Sequence, residues 1–136
     1  MSEIIWIRKE TVLAIHRRQI EQHGGVEGIR DQGLLESALF RPKNLFAYSE
    51  FPPDFASLAA AYAWGLVKNH PFFDGNKRTS YVVTRTFLQL NSYDLQASDE
   101  EKYQIWIELA ASQFSETELG DWLRQNISFV GITDDC

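Results

Sequence analysis

Glycine and proline residues divide this chain into pieces of the length that α-helices commonly have. Both residue types interrupt regular structure, Gly through its free φ angle and Pro through its missing N–H. The breaks lie at Gly24-Gly25, Gly28, Pro42, Pro52-Pro53, Pro71, Gly75 and Gly120. Between them, apolar residues recur at helical spacing. The sequence therefore predicts an all-α fold, a compact helical bundle.

Four of the helices follow from apolar spacing and from the breaks. The first covers Glu10–His23, and a short second helix covers Gly33–Phe40 and ends before Pro42. Asp54 is a good N-cap for the third helix, and Asn76–Leu90 forms the fourth. Small residues in the third helix permit close contact with a neighbouring helix.

Two capping boxes predict the starts of two further helices. Ser98-x-x-Glu101 and Ser115-x-x-Glu118 each place a Ser oxygen near the N3 amide and a Glu that reaches back to the N-cap amide. Apolar stripes follow both boxes. They consist of Tyr103, Trp106, Ile107 and Ala110, and of Leu119, Trp122, Leu123 and Ile127.

Three segments lack helical spacing. Ile4–Ile7 is a β-prone run that either pairs at an edge or packs into the core, and Tyr93–Ala97 favours a short strand. Arg41–Pro53 is predicted to be a loop in which Phe46 and Tyr48 stand among loop formers. A loop of this length either carries function or packs its aromatic residues onto the core.

The length of 136 residues and the 44% of hydrophobic residues predict one domain, spanning residues 1–136, with a single core. The longest apolar run, Leu58–Val67, has 10 residues and is too short to cross a membrane. The first residues have neither a basic n-region nor a long apolar run, so we expect no leader, and the one cysteine, Cys136, cannot form an intrachain disulfide. We therefore expect a cytoplasmic protein.

The net charge of -6 belongs to the C-terminal third. Residues 98–136 hold nine acids and two bases. Phosphate-backbone binding needs clustered Lys and Arg, so nucleic acid is not the expected partner. The acids are interpreted as a solvated helix surface.

One polar turn between two apolar helices carries the chemistry, the segment His70–Arg78. A turn that leads into a helix presents free amides and the positive end of the helix dipole, which favours an anion. Lys77 and Arg78 oppose that dipole unless a phosphate pairs with them. Asp74 is a possible Mg²⁺ ligand, and His70 is a natural general base.

Other interpretations of this turn remain open. Asp-Gly-Asn is ordinary turn chemistry, Phe72 and Phe73 fit the core, and a lone His is commonly structural. His70 and Asp74 could also share a zinc ion, although the other histidines lie far away in sequence.

The segment His70–Arg78 resembles the signature of the Fic/Doc family, His-x-Phe-x-Asp/Glu-Gly-Asn-x-Arg, at every fixed position. Lys77 stands where typical Fic adenylyltransferases have Gly, and Tyr81 stands where they have a second Arg. Both differences favour the death-on-curing (Doc) toxins. The stretches His23–Asp31 and Leu34–Ala38 also resemble the N-terminal part of Doc-like toxins.

The resemblance implies a Fic/Doc-type all-helical fold with a flap, for which Leu45–Phe51 is the candidate. Phe46 and Tyr48 in this flap would meet the target. The implied reaction transfers the γ-phosphoryl group of ATP to a threonine of elongation factor Tu, with Mg²⁺, and stops translation. An adenylyltransferase and a non-catalytic co-repressor that binds the antitoxin remain as alternatives.

The resemblance also implies roles for the residues of the motif. His70 would deprotonate the target hydroxyl and Asp74 would hold Mg²⁺. Asn76 would steady the transferred phosphoryl group. The ATP phosphates would be held by Lys77 and Arg78, with the loop positions Phe73 and Gly75.

Regulation is implied as well. The inhibitory pattern Ser/Thr-x-x-x-Glu-Gly/Asn of some Fic proteins is absent, since Leu119 follows Ser115 at the decisive spacing. The resemblance therefore implies a separate, Phd-like antitoxin as the inhibitor, and the acidic C-terminal third could receive a basic segment of it.

Overall fold

A computed structural model describes residues 3–130 of the chain. These residues form six helices and one two-stranded antiparallel sheet. In chain order the elements are α1 (Lys9–His23), α2 (Gln32–Tyr48), α3 (Phe55–Asn69), α4 (Asn76–Leu90), β1 (Tyr93–Leu95), α5 (Asp99–Ala110), α6 (Glu116–Asn126) and β2 (Ile127–Phe129). The all-α prediction is confirmed. Cys136 lies outside the described residues.

Helix α3 lies at the centre of the bundle and contacts α2, α4 and α6. Its run of alanines is buried almost completely and lets neighbouring helices approach. Gly65 makes the closest approach, because a Cβ placed there would lie 3.1 Å from Cα of Ala38 in α2. Helix α4 packs along α3, so the turn that joins them lies at one end of the two central helices.

The prediction for α2 was wrong at its C-terminus. The helix does not end before Pro42 but continues to Tyr48, and Pro42 is buried inside it. A proline within a helix costs about 3 kcal/mol locally. The packing of α2 against α3 outweighs this cost. The expected flap Leu45–Phe51 is therefore partly the last turn of α2, and only the stretch from Ser49 to Pro53 is irregular.

The helix starts agree with the predicted caps. Asp54 accepts a hydrogen bond from the Ser57 amide, and Ser115 and Glu118 form the complete capping box. At α5, Ser98 accepts from the Glu101 amide. The remaining half of that box is replaced by a tertiary contact, because the Glu101 carboxylate accepts from the indole N–H of Trp122 at 2.9 Å.

The short strand predicted at Tyr93–Ala97 is present as β1, which pairs with β2 in the register Tyr93↔Phe129. Ile127 was assigned to the stripe of the last helix, but α6 ends at Asn126 and Ile127 begins β2. Ile4–Ile7 forms no strand, and Ile7 packs into the core. None of the helices described here is long and apolar enough to span a membrane.

Candidate active site

The turn His70–Gly75 connects the C-terminus of α3 to the N-terminus of α4, and a left-handed residue stands at each end. His70 has φ 50° and ψ 55°, and Gly75 has φ 79° and ψ 17°. A histidine in this region is uncommon, whereas glycine enters it freely. The two reversals project the turn out of the helix pair, with Phe72 buried beneath it and His70 exposed.

The segment between α1 and α2 supports the turn through backbone hydrogen bonds. Pro71 O accepts hydrogen bonds from the amides of Arg30 and Asp31, at 2.7 and 3.1 Å, and the Phe73 amide donates to Gly28 O at 3.3 Å. This antiparallel pairing attaches the motif to the segment between α1 and α2. Pairing between distant short segments leaves no local signal, so this contact could not be predicted from the sequence.

The guanidinium of Arg30 holds the end of α3. Its Nε donates to His70 O at 2.8 Å and its Nη2 donates to Asn69 O at 3.0 Å. The last carbonyl groups of a helix need such donors, and a cation is favourable at the negative end of the dipole. Arg30 therefore supports the left-handed conformation of His70.

Asn76 supports the turn from inside. Its side chain is buried, Oδ1 accepts from the Phe72 amide at 3.0 Å, and Nδ2 donates to Phe72 O at 2.9 Å. The contact of Asn76 with a phosphoryl group, which the resemblance implies, stays a prediction. In the structure both polar atoms of this amide bond the backbone of the turn.

Asp74 is exposed, and one of its carboxylate oxygens is held in place. Oδ2 accepts from the Val26 amide at 2.7 Å, and the Gly25 backbone lies so close that a Cβ there would be 3.0 Å from Asp74 Cβ. No group of three His, Cys, Asp or Glu side chains among residues 3–130 could hold a metal ion. A single carboxylate fits Mg²⁺, which takes its other ligands from phosphates and water, and gives no support to the zinc alternative.

A cleft of about 870 Å³ opens beside the turn. Ligand sites of roughly 300–1,000 Å³ are typical for small molecules and cofactors. His70, Asp74, Gly75, Asn76, Lys77 and Arg78 all line it. The structure therefore brings the polar residues of the motif to one cavity.

The opposite wall of the cleft was not predicted. Helix α5 contributes Lys102, Tyr103 and Trp106, and α1 contributes Gln19 and His23. Tyr103 was placed on the apolar stripe of α5, yet it is exposed at the cleft. The one feature of the sequence that could have indicated an exposed Tyr103 is its position next to Lys102, in a helix start rich in acids.

The first turn of α4 is electropositive. Lys77 and Arg78 are exposed, no side chain caps the helix, and within the described part of the chain neither residue forms an ion pair. Free amides, the dipole and two cations together favour a polyanion. At the far side of the cleft the ammonium of Lys102 lies 5.8 Å from the ring centroid of Tyr81.

Three of the predicted site residues do not line the cleft, and their roles stay predictions. Phe46 packs edge-on against Trp6, with ring centroids 6.0 Å apart, and does not line the cleft. Tyr48 lines a separate groove of about 430 Å³ between α2 and α3. Phe73 was predicted as a loop position for the ATP phosphates, with the core as the alternative. It is half exposed, and its ring lies beside Gly28.

Comparisons with known proteins agree with the motif. A family model described as "Fic/DOC family" matches residues 6–88. The chain is 39% identical over 74 residues to "Toxin Doc" of Mycolicibacterium smegmatis, a match that covers 54% of this chain and 57% of that protein. It is 29% identical over 119 residues to "Protein kinase doc" of Escherichia phage P1, covering 88% of this chain and 93% of the phage protein.

Proposed function

Since the chain belongs to the Fic/DOC family, we propose that it is a Doc-like toxin that transfers the γ-phosphoryl group of ATP to a protein hydroxyl. The observation that carries this proposal is the shared cleft. It places an exposed imidazole, a carboxylate and the cationic, uncapped start of α4 around one cavity. The similar phage protein is named a protein kinase, which supports the choice of phosphoryl transfer.

The proposed step needs a general base, positive groups that bind the phosphates, and a fixed geometry. His70 accepts the proton of the target hydroxyl while the hydroxyl oxygen bonds the γ-phosphorus. The bond from that phosphorus to the bridging oxygen breaks, and ADP leaves with the electron pair. Lys77, Arg78 and the free amides of α4 offset the charge on the phosphates, which is the main contribution that phosphoryl transfer asks of a protein.

Asp74 would hold Mg²⁺, which neutralises charge on the nucleotide phosphates when it is bound. The oxygen Oδ1 is available for this, because the Val26 amide occupies Oδ2. The hydrogen bond also keeps the carboxylate pointing in one direction, so little side-chain entropy is lost when the ion binds.

Tyr81 is the residue that separates phosphoryl transfer from adenylyl transfer in this proposal. It occupies the position of the second Arg of Fic adenylyltransferases, and its ring packs edge-on against Trp106 at 5.2 Å. This position therefore offers no guanidinium to a second phosphate, which favours the kinase.

We propose elongation factor Tu as the target and translation as the process that stops. The test is the intact mass of purified elongation factor Tu after incubation with the protein, Mg²⁺ and ATP. Wild type should add a phosphoryl-sized mass. His70→Asn should add none, and it is a better control than Ala because Asn tolerates the left-handed conformation at this position.

The possible outcomes separate the candidates. An AMP-sized gain would transfer the assignment to adenylylation. If His70→Asn kept its melting temperature and its full transfer rate, the catalytic role of His70 would be wrong. If neither protein modified any component of a cell-free translation mixture, the non-catalytic co-repressor would be the better description.

We also propose a Phd-like antitoxin as the partner that restrains the toxin. The support is the name "Toxin Doc" of a similar protein together with the family membership. Co-expression of the neighbouring reading frame should restore growth, and its protein product should co-purify with the chain. Growth arrest that no neighbouring protein relieves would contradict the partner.

A further inference from the structure

A buried histidine outside the motif lies directly beneath the turn. His16 of α1 is 5% exposed, and its ring stacks on Phe72 with centroids 3.8 Å apart and planes inclined by 9°. Its Nε2 lies 2.8 Å from the carbonyl oxygen of Asp74. The imidazole thus touches the turn with both its face and its edge.

The partner atom determines which nitrogen of this ring donates the hydrogen bond. A carbonyl oxygen only accepts hydrogen bonds, so Nε2 of His16 carries the proton and donates. The bond fixes the direction of the Asp74 carbonyl group. In a planar trans peptide the C=O and the next N–H point in opposite directions. The Gly75 N–H therefore points away from His16.

The same peptide joins the two parts of the site. On one side of it is Asp74, whose carboxylate the Val26 amide holds, and on the other side is Gly75, the N-cap residue immediately before α4. Gly75 can rotate easily because it has no Cβ and its φ is 79°. Without the bond from His16, this peptide has the freedom to turn and to take the Gly75 N–H with it.

We propose that His16 is a positioning residue of the transfer reaction, whose Nε2–H orients the Asp74–Gly75 peptide so that the Gly75 N–H meets the phosphates of the nucleotide. This inference rests on the proposed phosphoryl transfer and deepens it. His16 itself does not line the cleft, so it acts through the turn.

Two variants separate the donor from the ring. His16→Phe keeps a ring for the stack on Phe72 but has no donor. His16→Gln has no ring but carries an N–H at about the distance of Nε2 from Cα. Loss of an outer group that orients a metal ligand costs roughly 10- to 100-fold in activity, and we expect a similar range for a group that orients a phosphate-binding peptide. We expect His16→Phe to lower kcat by about that factor, whereas His16→Gln should keep most of the wild-type kcat. His16→Gln should nevertheless melt at a lower temperature than His16→Phe, because it loses the stack on Phe72.

A control variant tests whether stability alone explains the loss. Val12 is fully buried one turn earlier in α1. Val12→Ala should lower the melting temperature but leave kcat unchanged at a temperature where the protein is folded. If kcat followed the melting temperatures of the three variants, or if His16→Phe were as active as wild type, the inference would be overturned.

An NMR measurement tests the orientation without any protein target. The amide signal of Gly75 is followed while Mg·ATP is added to wild type and to both His16 variants. A shift in wild type and His16→Gln that is lost in His16→Phe supports the proposal. If the Lys77 and Arg78 amides shift and Gly75 does not, the inference fails while the proposed function stands. If no amide of the turn shifts and no transfer is detected, the proposed function fails and the inference fails with it.

Discussion

Removal of the Asn76 side chain should destabilise the protein more than its small size implies. Its two hydrogen bonds, of 3.0 and 2.9 Å, pair the buried N–H and C=O groups of Phe72. Within residues 3–130 no other partner serves these two groups. Asn76→Ala would leave both of them without a partner in the protein.

The size of the effect follows from the number of unpaired groups. A buried polar group without a partner costs about 1–3 kcal/mol, so two such groups cost roughly 2–6 kcal/mol. We expect a loss of about 3 kcal/mol, since the turn lies near the surface and water reaches it when it relaxes. An unfolding entropy of about 2.1 cal/mol/K per residue converts this loss to a decrease of roughly 10 °C in the melting temperature.

The assay is thermal unfolding followed by circular dichroism, with Asn44→Ala as the matched control. Asn44 is exposed inside α2. The control should melt within about 2 °C of wild type, or slightly higher, because Ala favours a helix more than Asn does. Asn76→Asp keeps an acceptor for the Phe72 N–H but offers no donor to its C=O, so this variant should also be destabilised.

A small change in the melting temperature would contradict the assigned role of the two hydrogen bonds. If Asn76→Ala melted within about 3 °C of wild type, the free-energy cost would be below ~1 kcal/mol and the two hydrogen bonds would not hold the turn. An Asn76→Ala protein that is stable but loses transfer would instead assign the amide to the phosphoryl group, as the motif alone suggested.

Two further predictions concern a surface ion pair and a close backbone contact. The hydrogen bond from Arg124 lowers the pKa of Asp54 to about 2 from its ordinary 3.8, so this pair stabilises the fold above pH 4 and its contribution is lost as the pH falls from about 4 to 2. Because the Asp54 side chain is 51% exposed, we expect the ion pair to add at most about 1 kcal/mol to the free energy of unfolding. The urea midpoints of wild type and Arg124→Gln should therefore differ at pH 6 and converge near pH 2. A difference that stayed constant with pH would contradict the assignment. Gly25→Ala should slow the transfer reaction, because the new Cβ would lie 3.0 Å from Asp74 Cβ at a φ of 119°; unchanged kinetics at several Mg²⁺ concentrations would show that the position of Asp74 does not matter.

The local features were predictable because their causes lie within a few residues. A cap needs only a side chain and an amide three positions later, and Asp54, Ser98 and Ser115 all act as caps. The chemistry of the motif was also readable, because its polar residues stand in one contiguous turn. The strand β1 could be predicted, but its partner could not, since pairing depends on residues more than thirty positions away.

The helical class, most helix starts and the motif that marks the family follow from the amino-acid sequence alone. The packed structure was needed to show that α2 continues through Pro42, that α5 forms the far wall of the cleft, and that Arg30 and His16 hold the turn. The two groups of features differ in the range of the interactions that cause them. Capping and periodicity depend on residues close together in sequence. The continuation of α2 through Pro42 and the hydrogen bond between His16 and the Asp74 carbonyl depend on contacts that exist only when the chain is packed.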